Sequence, residues 1–475
     1  MAEAKRSEPI DLVLKGASEV LTMAGDEPDE RGLGVVKGGT VLVSEGKVVA
    51  VGDYHQLAAE YDLSGAEVIP VDGQVVTPGL VDPHTHLVFA GSREDEFARR
   101  IAGATYSEIA ESGGGIIRTV QDTRAAGEDE LYTQAALNLE KMILGGATTV
   151  EVKSGYGLTL EDEMKLLRVA NRLRSEAPIE VVPTFLGAHE VPPEFEGKSA
   201  KYVELVARVM VPEVARSGLA EFCDVFCEKG VFSVEDSRQI LEEAKKHGLL
   251  PKLHADELGP FGGAELAAEV GAVSADHLLY SSEAGLEAMA KAGTVAVLLP
   301  GTPFTLLLDR QARAREMLRR GVTVAVATDF NPGTSPIPSM EVVLGLACRL
   351  LRLTPGEALR AATRGSAMAL RRGDVIGRLT PGMRADLVVW DVPSHASIPY
   401  YFGANLVRHV IAGGKVVVWN GRLEPEARLL PEEDEGGVPA GAPAARPRSW
   451  KTTLTFFLIA ALLGLLTRWA CQGPR

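Results

Sequence analysis

Two histidines one residue apart, His84 and His86, follow the apolar stretch Gly79-Leu80-Val81. On an extended strand, residues i and i+2 face the same side. The pair therefore aims two imidazoles at one point, as a divalent metal requires. Pro83 and Gly91 predict that the strand stops there and becomes a loop. His-x-His alone is also what two solvent-facing loop histidines look like, so the rest of the chain has to decide.

Three more histidines, His189, His254 and His277, come just after predicted strands, and Asp329 follows the last one. Of nine histidines, five lie at such positions; the others are His55, His247, His395 and His409. Two histidines from one strand, a third histidine and an aspartate make an N/O donor set for Zn²⁺ or Fe²⁺ with room for a water. Glu257, three residues after His254, can shuttle a proton from water to a leaving nitrogen, or make a surface ion pair. His277 can polarise a carbonyl oxygen, or simply pack. Arg93 offers a fork for a carboxylate, or solvates a loop. The turn Asn331-Pro332-Gly333-Thr334 offers backbone groups to a substrate. Lys153, after Val152, has the chemistry of a carbamylated ligand bridging to a second metal, and its expected loop position argues against that use.

These residues need a frame that brings strand ends together. Eight short apolar strands are predicted: 79–81, 148–152, 179–185, 222–226, 251–253, 273–275, 294–299 and 322–327. Most precede helical patterns, as at 160–175, 233–247 and 310–320. Eight β-α alternations predict an α/β fold, a TIM-type (β/α)8 barrel whose site lies in the loops after the strands. A doubly wound open sheet is the rival, and no GxGxxG opens a helix after a strand. Strand-rich segments at both ends, with a hairpin turn at Ser44-Glu45-Gly46, predict one small β-sandwich domain built from both termini. The expected boundaries are 1–75 and 382–423 for that β-domain, 76–381 for the barrel, 424–449 for a Pro- and Gly-rich disordered linker, and 450–475 for an apolar tail.

The chain has 475 residues, 46% hydrophobic and 24% charged, enough for a large core. Its net charge of −15 argues against nucleic acid as a partner. Four cysteines without a CxxC pair make no disulfide framework, which predicts a reducing, cytoplasmic setting. The polar N-terminus predicts no signal peptide. In the tail, sixteen mostly apolar residues flanked by Trp450-Lys451 and Arg468-Trp469 would span about 24 Å as a helix, short of a bilayer core of about 30 Å. Its basic and tryptophan ends still resemble interfacial anchors, so membrane contact through 450–475 stands beside an oligomerising tail.

The motifs together resemble the amidohydrolase superfamily. They are PGLVDPHTH (78–86), EVKSGYGL (151–158), FLGAHEVP (185–192), HADEL (254–258), SADHL (274–278), ATDFNPGTSP (327–336) and GRLTPGMRADLVVWD (377–391). The resemblance covers about 10–424. It implies that His84, His86, His254 and Asp329 hold one Zn²⁺ or Fe³⁺ per chain. It further implies that Arg93, Tyr156, His189, Glu257, Asn331, Gly333 and Thr334 contact a small-molecule substrate, and that Glu257, His277 and Asp329 serve in catalysis. SGGGI (112–116), which by composition could hold phosphate, would be a substrate-proximal loop. The implied reaction is hydrolytic opening of a five-membered cyclic amide bearing a carboxylate, in a homodimer. Two rivals stay open: a sister aminohydrolase deaminating a nucleobase, and a metal-free barrel kept as an interaction module.

Overall fold

The computed structural model describes residues 9–27, 30–104, 108 and 113–431. Strands β1 (Leu12–Leu21), β2 (Val35–Ser44), β3 (Lys47–Asp53), β4 (Glu67–Pro70) and β5 (Val75–Pro78) form the N-terminal part of one sheet. β1 is bulged between Leu14 and Ala17, where Gly16 takes φ 86°. Glu45 and Gly46, φ 48° and 73°, form the two-residue hairpin loop between β2 and β3.

The barrel follows: β6 (Leu80–Asp82), β7 (Ala147–Lys153), β8 (Glu180–Ala188), β9 (Phe222–Cys227), β10 (Leu250–Ala255), β11 (Ser274–His277), β12 (Val295–Leu298) and β13 (Val324–Val326). All eight pair in parallel and in chain order. β6 and the chain after β13 close the ring: Asp329 N–H donates to the His84 carbonyl at 3.0 Å, and His86 N–H to the Phe330 carbonyl at 2.9 Å. Beside them, the Asp82 carboxylate accepts from the Thr328 amide (3.1 Å) and hydroxyl (2.6 Å).

Helices cover the outside. The helix at Leu160–Glu176 is capped by Thr159, and Val234–Lys246 begins with a Ser233–Asp236 capping box. The helix expected at 310–320 covers only Ala314–Arg319. Arg310 and Arg313 instead reach back to the Leu279 and Ser281 carbonyls and hold the segment before it out of helix.

The chain returns to the terminal sheet with β14 (Leu387–Trp390), β15 (Val407–Ala412), β16 (Lys415–Trp419) and β17 (Arg422–Leu423). β14 pairs with β5, so the two ends make one continuous nine-stranded sheet. Arg372 and Arg384 bind Glu180 at the start of β8, tying the C-terminal return to the floor of the barrel. The first residues of the expected linker are docked: Ala427 is buried and Leu429 N–H bonds to Glu140. Residues 432–475, which include the expected apolar tail, lie outside the described residues. Among the described residues, no helix is long and apolar enough to cross a membrane.

The Asp82–Thr328 pair is the side-chain lock of the barrel seam. Thr328→Val keeps the shape, removes the hydroxyl bond to a buried carboxyl group and takes away the oxygen that accepts from the Phe330 amide. The variant should lose about 1–3 kcal/mol of stability in a urea titration; an unchanged midpoint would show that the seam does not depend on this lock.

Candidate metal centre and active site

The strand ends converge as five packed imidazoles. Ring centroids are 4.5 Å apart for His84 and His254, 5.3 Å for His84 and His86, and 5.2 Å for His254 and His277. His189, from the end of β8, stacks on His86 at 4.8 Å. Asp329 Oδ1 lies 3.5 Å from Nε2 of both His84 and His86. Three overlapping sets have donor atoms within 4.8 Å of one another: His84/His254/His277, His86/His189/His254 and His84/His86/Asp329.

The ring nitrogens fit a metal. His84 Nε2, His86 Nδ1, both ring nitrogens of His254 and His277 Nδ1 are buried without a hydrogen-bond partner among the described residues. Each such atom costs about 1–3 kcal/mol if nothing satisfies it, so five in one cluster mark a ligand site. Burial above all holds His84, His86 and His277 well below the usual histidine range, and takes His189 to about 3. These rings are therefore neutral, as ligation requires. At His254 burial pushes downward too, and the Asp224 carboxylate outweighs it, for a net rise.

The acids of the pocket are shifted the other way. Burial lifts Asp329 to about 6, partly offset by the Thr302 hydroxyl, which donates to Oδ2 at 2.5 Å. Burial, and then the nearby Asp329 charge, lift Glu257 to about 8. Glu257 Oε2 is 3.5 Å from His277 Nε2. Asp256, His277 and Asp329 all take left-handed backbone angles, φ 51°, 73° and 52°. Such strain in non-glycine residues persists where surrounding structure over-determines it. Here Asp256 accepts four amides, from Phe261 to Ala264, and so fixes the loop carrying Glu257.

Opposite the histidines is a polar wall. Arg93, 7% exposed, lies in an ion pair with Glu96 through Nε and Nη2, both at 2.8 Å. Glu96 also accepts from the Gly115 amide. A Cβ on Gly333 would stand 1.9 Å from Arg93 Nη1, so only glycine allows this approach. Asn331 spends its carboxamide on its own loop: Oδ1 accepts from the Gly333 and Thr334 amides, and Nδ2 donates to the Asp329 carbonyl. Burial pushes the Tyr156 phenol up, so it stays a neutral hydroxyl. A cavity of about 90 Å³ joins His86, Arg93, Tyr156, His189, His254, Glu257, His277, Asp329, Asn331 and Thr334, with Ile116 at its edge. A larger cleft, about 310 Å³, opens near the N-terminal end of β13 and is lined by no histidine.

The structure thus gathers the predicted residues at one mouth, with His84 deepest and Gly333 behind Arg93. Lys153 differs from expectation. It ends β7 rather than opening a loop, and its ammonium faces Glu151, Asp224 and Asp276. A carbamate there would add an anion to three carboxylates, so it is no bridging ligand. Sequence reasoning missed Asp224 and Asp276 as partners of the histidines, Glu96 as the partner of Arg93, and Thr302 beside Asp329. A signal existed for the first two: charged residues inside otherwise apolar strands, FCDVFC and SADH.

Comparison with known proteins agrees with the frame. A profile of the amidohydrolase family matches residues 75–417. The imidazolonepropionase of Geobacillus kaustophilus is 50% identical over 420 residues, covering 87% of this chain and 99% of that protein. That of Shouchella clausii is 49% identical over 441 residues, covering 90% and 98%. Among solved structures, a Xanthomonas campestris adenosine deaminase with bound zinc superposes with a TM-score of 0.67 at 20% identity, over 88% of this chain and 95% of that one. E. coli guanine deaminase gives 0.63 at 16%, over 86% and 99%. At those identities the two deaminases establish shared fold only.

The raised Glu257 carboxyl has a consequence for the metal-free protein. A folded-state value near 8 against an ordinary value near 4.5 means the folded chain holds this proton more tightly. Its stability is then full below about pH 4.5 and is lost as pH rises through 8. Glu257→Gln, which cannot ionise, should melt near wild type at pH 5 and increasingly above it up to pH 9. A melting difference independent of pH would contradict the burial reading.

Proposed function

The chain belongs to the amidohydrolase family, and we propose that it acts as an imidazolonepropionase, hydrolysing the cyclic amide of 4-imidazolone-5-propanoate to N-formimidoyl-L-glutamate in histidine degradation. The observation that carries this reading is one cavity that joins a cluster of unsatisfied imidazoles to a buried arginine fork. The first suits a hydrolytic metal and the second a substrate carboxylate. Relatives of that name at about 50% identity over nearly their whole length support it.

His84, His86, His254 and Asp329 would hold one Zn²⁺ or iron ion. Such an ion supplies Lewis acidity, lowering the pKa of water toward about 7 and polarising a carbonyl. The chain's own groups do the rest. Arg93, kept rigid by Glu96 and Gly333, binds the propanoate carboxylate and sets the ring's distance from the histidines. Tyr156, His189 and the 331–334 turn orient the ring. The His277 imidazole steadies the oxygen of the ring carbonyl as it gains charge. Water adds to that carbonyl carbon and gives up a proton as the ring C–N bond breaks. Glu257, poised near 8 by burial, and Asp329 are the carboxyl groups placed to carry that proton to the departing ring nitrogen. A cytosolic setting fits the cysteine-poor composition, and the family resemblance implies a homodimer.

The test is loss of substrate ring absorbance with purified protein. Wild type should open 4-imidazolone-5-propanoate and release no ammonia from guanine or cytosine. Arg93→Met should raise KM about 10–100-fold, as expected for one lost charge-assisted pair, with a smaller change in kcat. Ammonia release without ring opening would move the chain to the deaminases.

A further inference from the structure

Beneath the imidazoles lies a layer of charge that the mechanism above leaves unused. Glu151, Lys153, Asp224, Lys252 and Asp276 are all fully buried in the barrel interior. Lys153 Nζ donates to Asp224 Oδ2 at 2.7 Å, and lies 3.1 Å from Glu151 Oε2 and 3.5 Å from Asp276 Oδ2. The same two aspartate oxygens face histidines. Asp276 Oδ2 is 2.6 Å from His84 Nδ1. Asp224 Oδ2 is 3.0 Å from His254 Nδ1, with the ring turned off the line of an ideal bond. One ammonium on β7 therefore stands behind two carboxylates, and each carboxylate stands behind one ring, from β6 and from β10.

We propose that Lys153 is a positioning residue of the metal centre: through Asp276 and Asp224 it holds the proton of His84 and of His254 on Nδ1 and turns both Nε2 atoms to the cavity before an ion arrives. The proposal rests on the metal reading given above. Its logic is geometric. A ring whose Nδ1–H has an acceptor must present Nε2 as the lone-pair donor. The acceptor must itself be fixed, and in a dry interior a paired cation fixes it. Without Lys153, Asp224 and Asp276 lose their shared cation and can swing their oxygens toward other donors, such as Ser274, which already bonds Asp276 Oδ1 at 2.7 Å.

Lys252 provides the control. It is as buried as Lys153 and belongs to the same layer, but its ammonium bonds to Glu151 Oε1 (2.9 Å) and the Pro83 carbonyl (3.1 Å). A purely structural role for the layer would make the two lysines equivalent.

The experiment is a Co²⁺ titration of metal-free full-length protein, followed by visible absorption, with wild type, Lys153→Met and Lys252→Met. Wild type should take up one equivalent. Lys153→Met should bind about 10–100-fold more weakly and Lys252→Met within about threefold of wild type, although both variants melt earlier. Wild-type affinity in Lys153→Met, or an equal loss in both variants, would overturn the proposal. No uptake by wild type would instead bring down the metal reading itself. Should Lys153→Met not fold, ¹⁵N-histidine NMR of the metal-free wild type decides. Protons on Nδ1 of both His84 and His254 are expected, and a proton on Nε2 alone at either ring would overturn it.

Discussion

The whole arrangement depends on the seam where the barrel closes on itself. Backbone bonds between 84–86 and 329–330, with Asp82 locked onto Thr328, join segments 246 residues apart in the chain. This ladder puts His84, His86 and Asp329 side by side. In a barrel built in chain order, the first and last strands become neighbours only when the ring closes. A donor set split between them therefore exists only in the folded state. The remaining donor, His254, arrives from β10 and needs no such closure, and His277 stands beside it on the adjacent strand β11.

Burial then sets the chemistry. Removing these groups from water favours their neutral forms. His84, His86, His189 and His277 become neutral, while Glu257 and Asp329 rise toward the pH at which a proton can be exchanged. Charge that stays buried is paired: Lys153 and Lys252 with three carboxylates, Arg93 with Glu96. The result is a site with neutral ligands at its floor and a cationic fork at its wall, inside a protein that is acidic overall.

Much of this was legible in the sequence, for a physical reason. Period-two strand geometry makes His-x-His a statement about direction, and β-α alternation makes strand ends converge, so His84, His86, His189, His254, His277 and Asp329 could be placed together without coordinates. The hairpin at 44–46 and the helix at 160–175 were equally readable from turn residues and apolar spacing. What stayed hidden depended on side-chain partners across strands. Lys153 looked like a loop residue because a lysine inside an apolar strand contradicts simple patterning; its carboxylate partners lie on three different strands. The Arg310–Arg313 segment has helical composition, and two long-range bonds to carbonyls override it. Glu96 was invisible because an acid three residues after an arginine is ordinary on any helix surface, and only burial makes the pair matter.

The most direct test is an anomalous-difference map from crystals of the zinc-loaded protein. The account predicts one strong peak per chain, bounded by imidazole nitrogens of His84, His86 and His254 and a carboxylate oxygen of Asp329, with Lys153 beneath it and making no contact with the ion. A peak among His86, His189 and His254, or no peak at the barrel mouth, would contradict it.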